Sequence, residues 1–195
     1  MELLEDSDLD QILTDVFAKV VSMAIDSSAL TGTGVGEEPR GVLNWPGVPS
    51  TTLGSGNGAT PTNYSPLVAS VGALRDADEQ PNAVLLSTRD ERTFGALVAS
   101  DGQPLVRPGC LDGVRLLGTS QLPTNQTVGT STDCSTVLTG DWSKLVIGVR
   151  STVSFAVLRE AFAASEGSIG LMIWTRLDTA VLRAASFHLT TGVRG

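Results

Sequence analysis

Leu9, Ile12, Leu13, Val16, Val20, Val21, Ala24 and Ile25 recur at spacings of three and four, which lays an apolar stripe along one helix. Ser7 followed by Asp10 resembles a capping box, and Asp6, Asp8 and Asp10 suit the positive end of a helix dipole. The pattern predicts a helix from Ser7 to Leu30, ending at Thr31-Gly32-Thr33-Gly34. At about 1.5 Å per residue it is roughly 35 Å long. So long an apolar face must be covered by something. Ile12, Val16, Val20 and Ile25 are therefore expected in the core, with Val16→Asp costing several kcal/mol by burying an unpaired carboxylate.

Residues 31–65 are rich in Gly, Pro, Thr and Asn, and Gly41-Val42-Leu43 is a short apolar island with strand character. Ser65-Pro66 opens a second helix, Ser as N-cap and Pro at the first helical position, which buries Leu67, Val68, Val71 and Leu74. Asn82–Ser87 reads as a buried strand. Thr88-Arg89-Asp90-Glu91 is a capping box for a third helix through Ala99, broken by Asp101-Gly102 and Pro104. Leu116-Leu117-Gly118 and Thr136-Val137-Leu138 are short strands, with residues 119–135 a long polar loop. Lys144–Val149 and Thr152–Leu158 are strands joined by a turn at Arg150-Ser151. Ile169–Arg183 is β-rich at first, and Asp178–Ala185 fits helix or strand equally. No internal repeat is present. The class is mixed α+β, helices early and strands late.

Composition narrows the function. Hydrophobic residues make up 41% and charged residues 17%, enough for a sizeable core. Mean hydropathy is +0.14, and no apolar run reaches the ~18–20 residues of a membrane span. The net charge of -8, from 21 acidic and 13 basic side chains, argues against gripping nucleic acid through phosphates and against anionic membranes. The N-terminal residues Met1–Asp6 lack the basic and apolar regions of a signal peptide, so Cys110 and Cys134 are expected as free thiols.

Candidate chemistry is sparse. Gly32-Thr33-Gly34-Val35-Gly36 follows a helix instead of preceding one, and no Gly-Lys-Ser/Thr follows, so it is a helix exit and not a phosphate loop. His188, the one histidine, is the sole imidazole a catalytic triad could use. It lies in the strand-like Ser186-Phe187-His188-Leu189 with no G-x-S-x-G elbow, and is expected as a half-exposed strand residue. Asp6, Asp8 and Asp10 lack the glycine and terminal glutamate of a calcium loop. Asp76, Asp78 and Glu79 read as a solvated helix end. Asn63-Tyr64-Ser65 and Asn125-Gln126-Thr127 match the glycosylation pattern without an export signal to give it meaning. No catalytic, metal or cofactor-binding residue is assigned.

One ordered set of features resembles the major capsid proteins of tailed bacteriophages, whose Hong Kong-type fold is shared with encapsulins. The features are Asp26-Ser27-Ser28-Ala29-Leu30 with Gly32-Thr33-Gly34 and Pro39-Arg40-Gly41-Val42-Leu43, after Glu2-Leu3-Leu4-Glu5-Asp6-Ser7. Next come Pro81-Asn82-Ala83-Val84-Leu85-Leu86 and Asp101-Gly102. Leu116-Leu117-Gly118 with Pro123 follows, then Gly140-Asp141-Trp142 before a strand ending in Arg150. Ile173-Trp174-Thr175-Arg176 and Ala184-Ala185-Ser186-Phe187 close the set.

The resemblance implies an α+β capsid core with a long spine helix. Residues 1–59 would hold the spine helix and glycine-rich exit of a peripheral domain, 60–145 an axial domain, and 146–195 strands returning to the periphery. It implies a non-enzymatic head subunit of a phage or prophage. Its partners would be copies of itself in capsomers and an icosahedral shell, and other head proteins, with no cofactor, specific nucleic acid or membrane. It would assemble in the bacterial host cytoplasm and reside in the virion. Family members carry an N-terminal arm and extended loop before this helix, so the chain is expected as a truncated core, monomeric or in small rings. The competing expectations are a β-rich phage tail or surface binding module without catalytic activity, and a small hydrolase built on paired carboxylates.

Overall fold

A computed structural model describes residues 7–158 and 170–195. Helix α1 spans Ser7–Thr31, as the stripe predicts to within a residue. The six residues before it, the side chain of Ile12, and Ile169 lie outside what is described. The order continues β1 (Ser50–Thr52), α2 (Ser65–Asp76), β2 (Ala83–Ser87), α3 (Thr88–Gly95), β3 (Arg115–Thr119), β4 (Gln126–Val128), β5 (Ser131–Gly140), β6 (Leu145–Leu158), β7 (Gly170–Val181) and β8 (Phe187–Val193).

Two sheets result. The larger runs β1-β8-β5-β2-β3, with β4 paired to β5 off that path. β1 is parallel to β8 and β2 to β3, while β5 runs antiparallel to β2, β4 and β8. The smaller sheet is the long antiparallel ribbon β6–β7.

The central strands β2, β5 and β8 are buried on both faces over most of their length, which explains the unbroken apolar run of β2. Val84, Leu86, Val137 and Val193 pack with Leu67 and Val71 of α2 and Phe94 of α3. On the opposite face Leu138, Phe187 and Leu189 pack with Leu30, Val42, Leu122 and Val181. The alternation Val137/Leu138 is the two-residue strand period at work. As expected, Leu67, Val71 and Leu74 are buried, with Val68 partly so.

Several expectations shift. Gly41-Val42-Leu43 forms no strand: Val42–Asn44 is a single 3₁₀ turn, with Asn44 Nδ2 donating to Thr31 O and Gly32 O. The α2 cap falls on Tyr64, and Asn63 Oδ1 accepts from Ser65 N at 2.9 Å. The α3 cap is Ser87, one residue early, and α3 stops at Gly95, short of Ala99. The polar stretch 119–135 contains β4 and the start of β5, because Gln126 and Thr136 satisfy one another at 2.6 Å across the pair. The two strands expected around Arg150-Ser151 are one: β6 absorbs the break as an irregularity in register between Val149 and Ser154. The undecided segment Asp178–Ala185 is strand through Val181, then a 3₁₀ turn over Ala184–Ser186.

Glu79 is not solvated. It is 6% exposed and pairs with Arg183 at 2.7 Å, tying the end of α2 to the segment before β8. His188 is likewise buried, at 4% exposure, and shares a 3.1 Å hydrogen bond between Nε2 and Thr51 Oγ1.

Candidate functional site

The glycine-rich exit of α1 is a closure device and not a ligand cradle. Gly32 N donates to Ser28 O, and Gly41 N donates back to Gly32 O at 2.9 Å. A Cβ on Gly32 would fall 2.2 Å from Pro39 O, and one on Gly41 would fall 2.6 Å from the backbone of Leu30. Both glycines are needed because two backbone segments cross in contact. Thr33 donates its backbone N–H to Glu38 Oε2, and the Thr33 hydroxyl bond to the same carboxylate holds it below its usual pKa. Val35 N–H donates to the Thr33 hydroxyl oxygen, so these N–H groups are engaged inside the loop.

Two further motifs meet in space. Asn82 Nδ2 donates to Asp141 Oδ1 at 2.9 Å, and Trp142 N donates to Asn82 Oδ1. The Trp142 indole donates to Ala83 O and meets the Phe187 ring edge-on at 5.4 Å. Gly140 makes room for that ring, since its Cβ would fall 2.4 Å from Phe187 Cδ1. The Pro-Asn-Ala, Gly-Asp-Trp and Ser-Phe segments therefore form one packing unit.

A polar knot closes the opposite end. Ser135 donates to the buried Asp90 Oδ2 at 2.6 Å. Arg89 reaches Asp133 O, Thr124 O, Ser135 Oγ and Val193 O. One guanidinium thereby ties α3, the β4 approach, β5 and β8 together. Arg194 pairs with Asp133 and holds that carboxyl below its usual pKa.

No reactive constellation accompanies these contacts. Among the described residues, no three His, Cys, Asp or Glu side chains converge as metal ligands. Cys110 is exposed, Cys134 buried, and both are free. The partner of His188 is the Thr51 hydroxyl; among the described residues no carboxylate bonds to the imidazole to complete a triad, and burial lowers its pKa. A buried neutral imidazole packed against threonine is a core contact.

What the surface does offer, among the described residues, is exposed apolar area. Among the described side chains of α1, Ala29 and Leu30 of the last turn are the buried ones. Side chains between Leu13 and Ser28 line one wall of an open groove opposite the β6–β7 ribbon. Leu13, Phe17, Val21 and Ile25 face Val153 and Ile173 across a space of about 690 Å³. A neighbouring space of about 900 Å³ extends it toward Trp174, Arg176 and Pro39. Val16 and Val20, expected in the core, are instead 52% and 58% exposed, with Met23 beside them. The ribbon is apolar on both faces: Ile173 and Leu177 line the groove, while Met172 and Trp174, the neighbours of Ile173 on either side, are largely exposed. Monomers rarely leave so much contiguous apolar surface open unless something binds it. The stripe was visible in the sequence. The two-sided character of the ribbon was missed, although Val146-Ile147, Val149 and Met172-Ile173-Trp174 break the apolar-in, polar-out alternation that marks it.

A model of the phage capsid family matches residues 1–192. Among solved structures, the capsid of an empty GTA particle is similar over 99% of this chain and 68% of that chain, at 17% identity and a TM-score of 0.75. A chain of Mycobacterium phage Ogopogo is similar over 93% of this chain and 67% of that one, at 15% identity and a TM-score of 0.67. The SrpI encapsulin of Synechococcus elongatus is similar over 97% and 66% respectively, at 15% identity and a TM-score of 0.64. Among curated proteins none matches.

Proposed function

The chain belongs to the phage capsid family, and we propose that it is a major capsid subunit whose copies associate through the α1 groove and the β6–β7 ribbon. The observation that carries this reading is the exposure, side by side, of Val16, Val20 and Met23 of α1 and of Met172 and Trp174 of the ribbon. A helix apolar beyond its inward stripe is stable only when a second partner covers the rest. Head-to-tail contact suits such a surface, because the groove and the exposed ribbon face differ and so can pair heterologously and close a ring.

The domain division belongs to the same proposal. Residues 1–59 carry the spine helix of a peripheral unit, 60–145 an axial unit, and 146–195 the returning strands. The separate two-stranded ribbon and the lone α1 support a peripheral unit distinct from the larger sheet. That larger sheet takes in β1 and β8 from the two flanking segments.

The subunit acts without catalysis or cofactor, a reading supported by the buried, carboxylate-free setting of His188. The net charge of -8 supports a shell that does not adhere to the nucleic acid it encloses. Assembly in the host cytoplasm, with other head proteins joining it, completes the proposal. Electron microscopy of the purified chain, alone and with Val20→Asp and Trp174→Asp, tests the surface. Rings or shells in the parent that both variants abolish support it, and assembly indifferent to both refutes it.

A further inference from the structure

We propose that Asn57 is a site of spontaneous deamidation in the folded protein, and that the fold is built to keep the aspartate that results. Asn57-Gly58 is the one Asn-Gly pair in the sequence. It sits in an exposed loop after β1, where Gly54, Gly56 and Gly58 all hold positive φ, at 76°, 91° and 68°. Gly58 has no side chain to shield its amide nitrogen. Among the described residues its N–H makes no hydrogen bond.

The Asn57 carboxamide is held through its oxygen. Its Oδ1 accepts two hydrogen bonds from one residue of the β4–β5 turn: Thr130 N at 3.1 Å and Thr130 Oγ1 at 3.3 Å. Gly129 permits this approach, since a Cβ there would fall 2.2 Å from Asn57 Oδ1. When the Gly58 nitrogen bonds to Cγ and loses its proton, negative charge develops on Oδ1. Two donors already aimed at that atom are the requirement for stabilising such an oxyanion. The Cγ–Nδ2 bond then breaks, and Nδ2 leaves as ammonia with the proton it gains. Among the described residues Nδ2 makes no hydrogen bond, so nothing holds it back. Water opens the cyclic imide at either carbonyl, giving aspartate or isoaspartate.

The two products differ in fit. Aspartate keeps the acceptor in place and strengthens it, because a charged acceptor binds an N–H more tightly. It gives up no hydrogen bond, since only the oxygen was used. Isoaspartate inserts a methylene into the main chain and pulls the carboxylate off Thr130, releasing the loop from the β4–β5 turn. The molecule thereby gains one negative charge with time.

The test is peptide mapping by mass spectrometry after the folded protein is held at neutral pH and physiological temperature. Asn57 is expected to gain the mass of amide-to-carboxylate conversion while Asn44, Asn63, Asn82 and Asn125 do not. Thr130→Val, lacking one of the two donors, is expected to convert several-fold more slowly. Asn57→Asp is expected to melt no lower than the parent, which checks the fit of the product without depending on the rate. The proposal is overturned if Asn57 remains an amide over a period in which the urea-unfolded chain converts, or if Asn57→Asp lowers the melting temperature.

Discussion

Gly32 and Gly41 show how a short motif can be read correctly before its physical reason is visible. The sequence reads the run from Gly32 to Gly36 as a helix exit; the structure adds that two backbones cross there, and that a side chain on Gly32 or Gly41 would clash. Gly41→Ala is therefore expected to destabilise the chain by roughly 1–3 kcal/mol, the usual penalty for forcing an extra carbon into a packed site. A lower denaturant midpoint with unchanged slope is the signature. His188 was legible as a strand residue but not as a buried one, because its burial depends on Thr51, which is distant in sequence. Burial lowers its pKa from the usual 6.5, so the unfolded chain binds that proton more readily. Stability from this site is present above about pH 6.5 and is lost as pH falls toward the lower folded-state value. His188→Gln, which cannot take up that proton, is expected to flatten the dependence of melting temperature on pH in that window. An unchanged profile would mean that the imidazole is solvated.

Among the elements, α1 was the most legible and its surroundings the least. Its length and bounds follow from a stripe and a glycine stop, both local signals. Which side of it faces protein is a tertiary property, and periodicity cannot distinguish a core from an interface. Val16→Asp, expected from sequence to cost several kcal/mol, is now expected to change the isolated subunit by no more than about 0.5 kcal/mol, as for other surface positions. Thermal unfolding of the dissociated subunit checks this, with a large drop showing that Val16 is covered within one chain. Strand β6 illustrates the opposite error. Arg150-Ser151 interrupts its apolar pattern as a turn would, but β7 pairs along both halves and holds the irregularity in line. A ladder partner overrides a local break.

On the scale of the whole molecule, the sheet joins strands from the beginning, middle and end of the chain, β1, β2, β5 and β8. Its ordered motifs were readable as a family pattern before any contact was known. Their physical meaning emerged only when Asn82, Asp141, Trp142 and Phe187 proved to touch. The side-by-side exposure of α1 and the ribbon is the corresponding feature of the outer surface. It makes self-association the central claim. Native mass spectrometry over a range of concentrations, on the parent and on Val20→Asp, tests that claim most directly. Concentration-dependent closed rings or larger shells in the parent, reduced to monomer by Val20→Asp, are the predicted result. A parent that stays monomeric at every concentration, or forms only a symmetric dimer that Val20→Asp leaves intact, would contradict it.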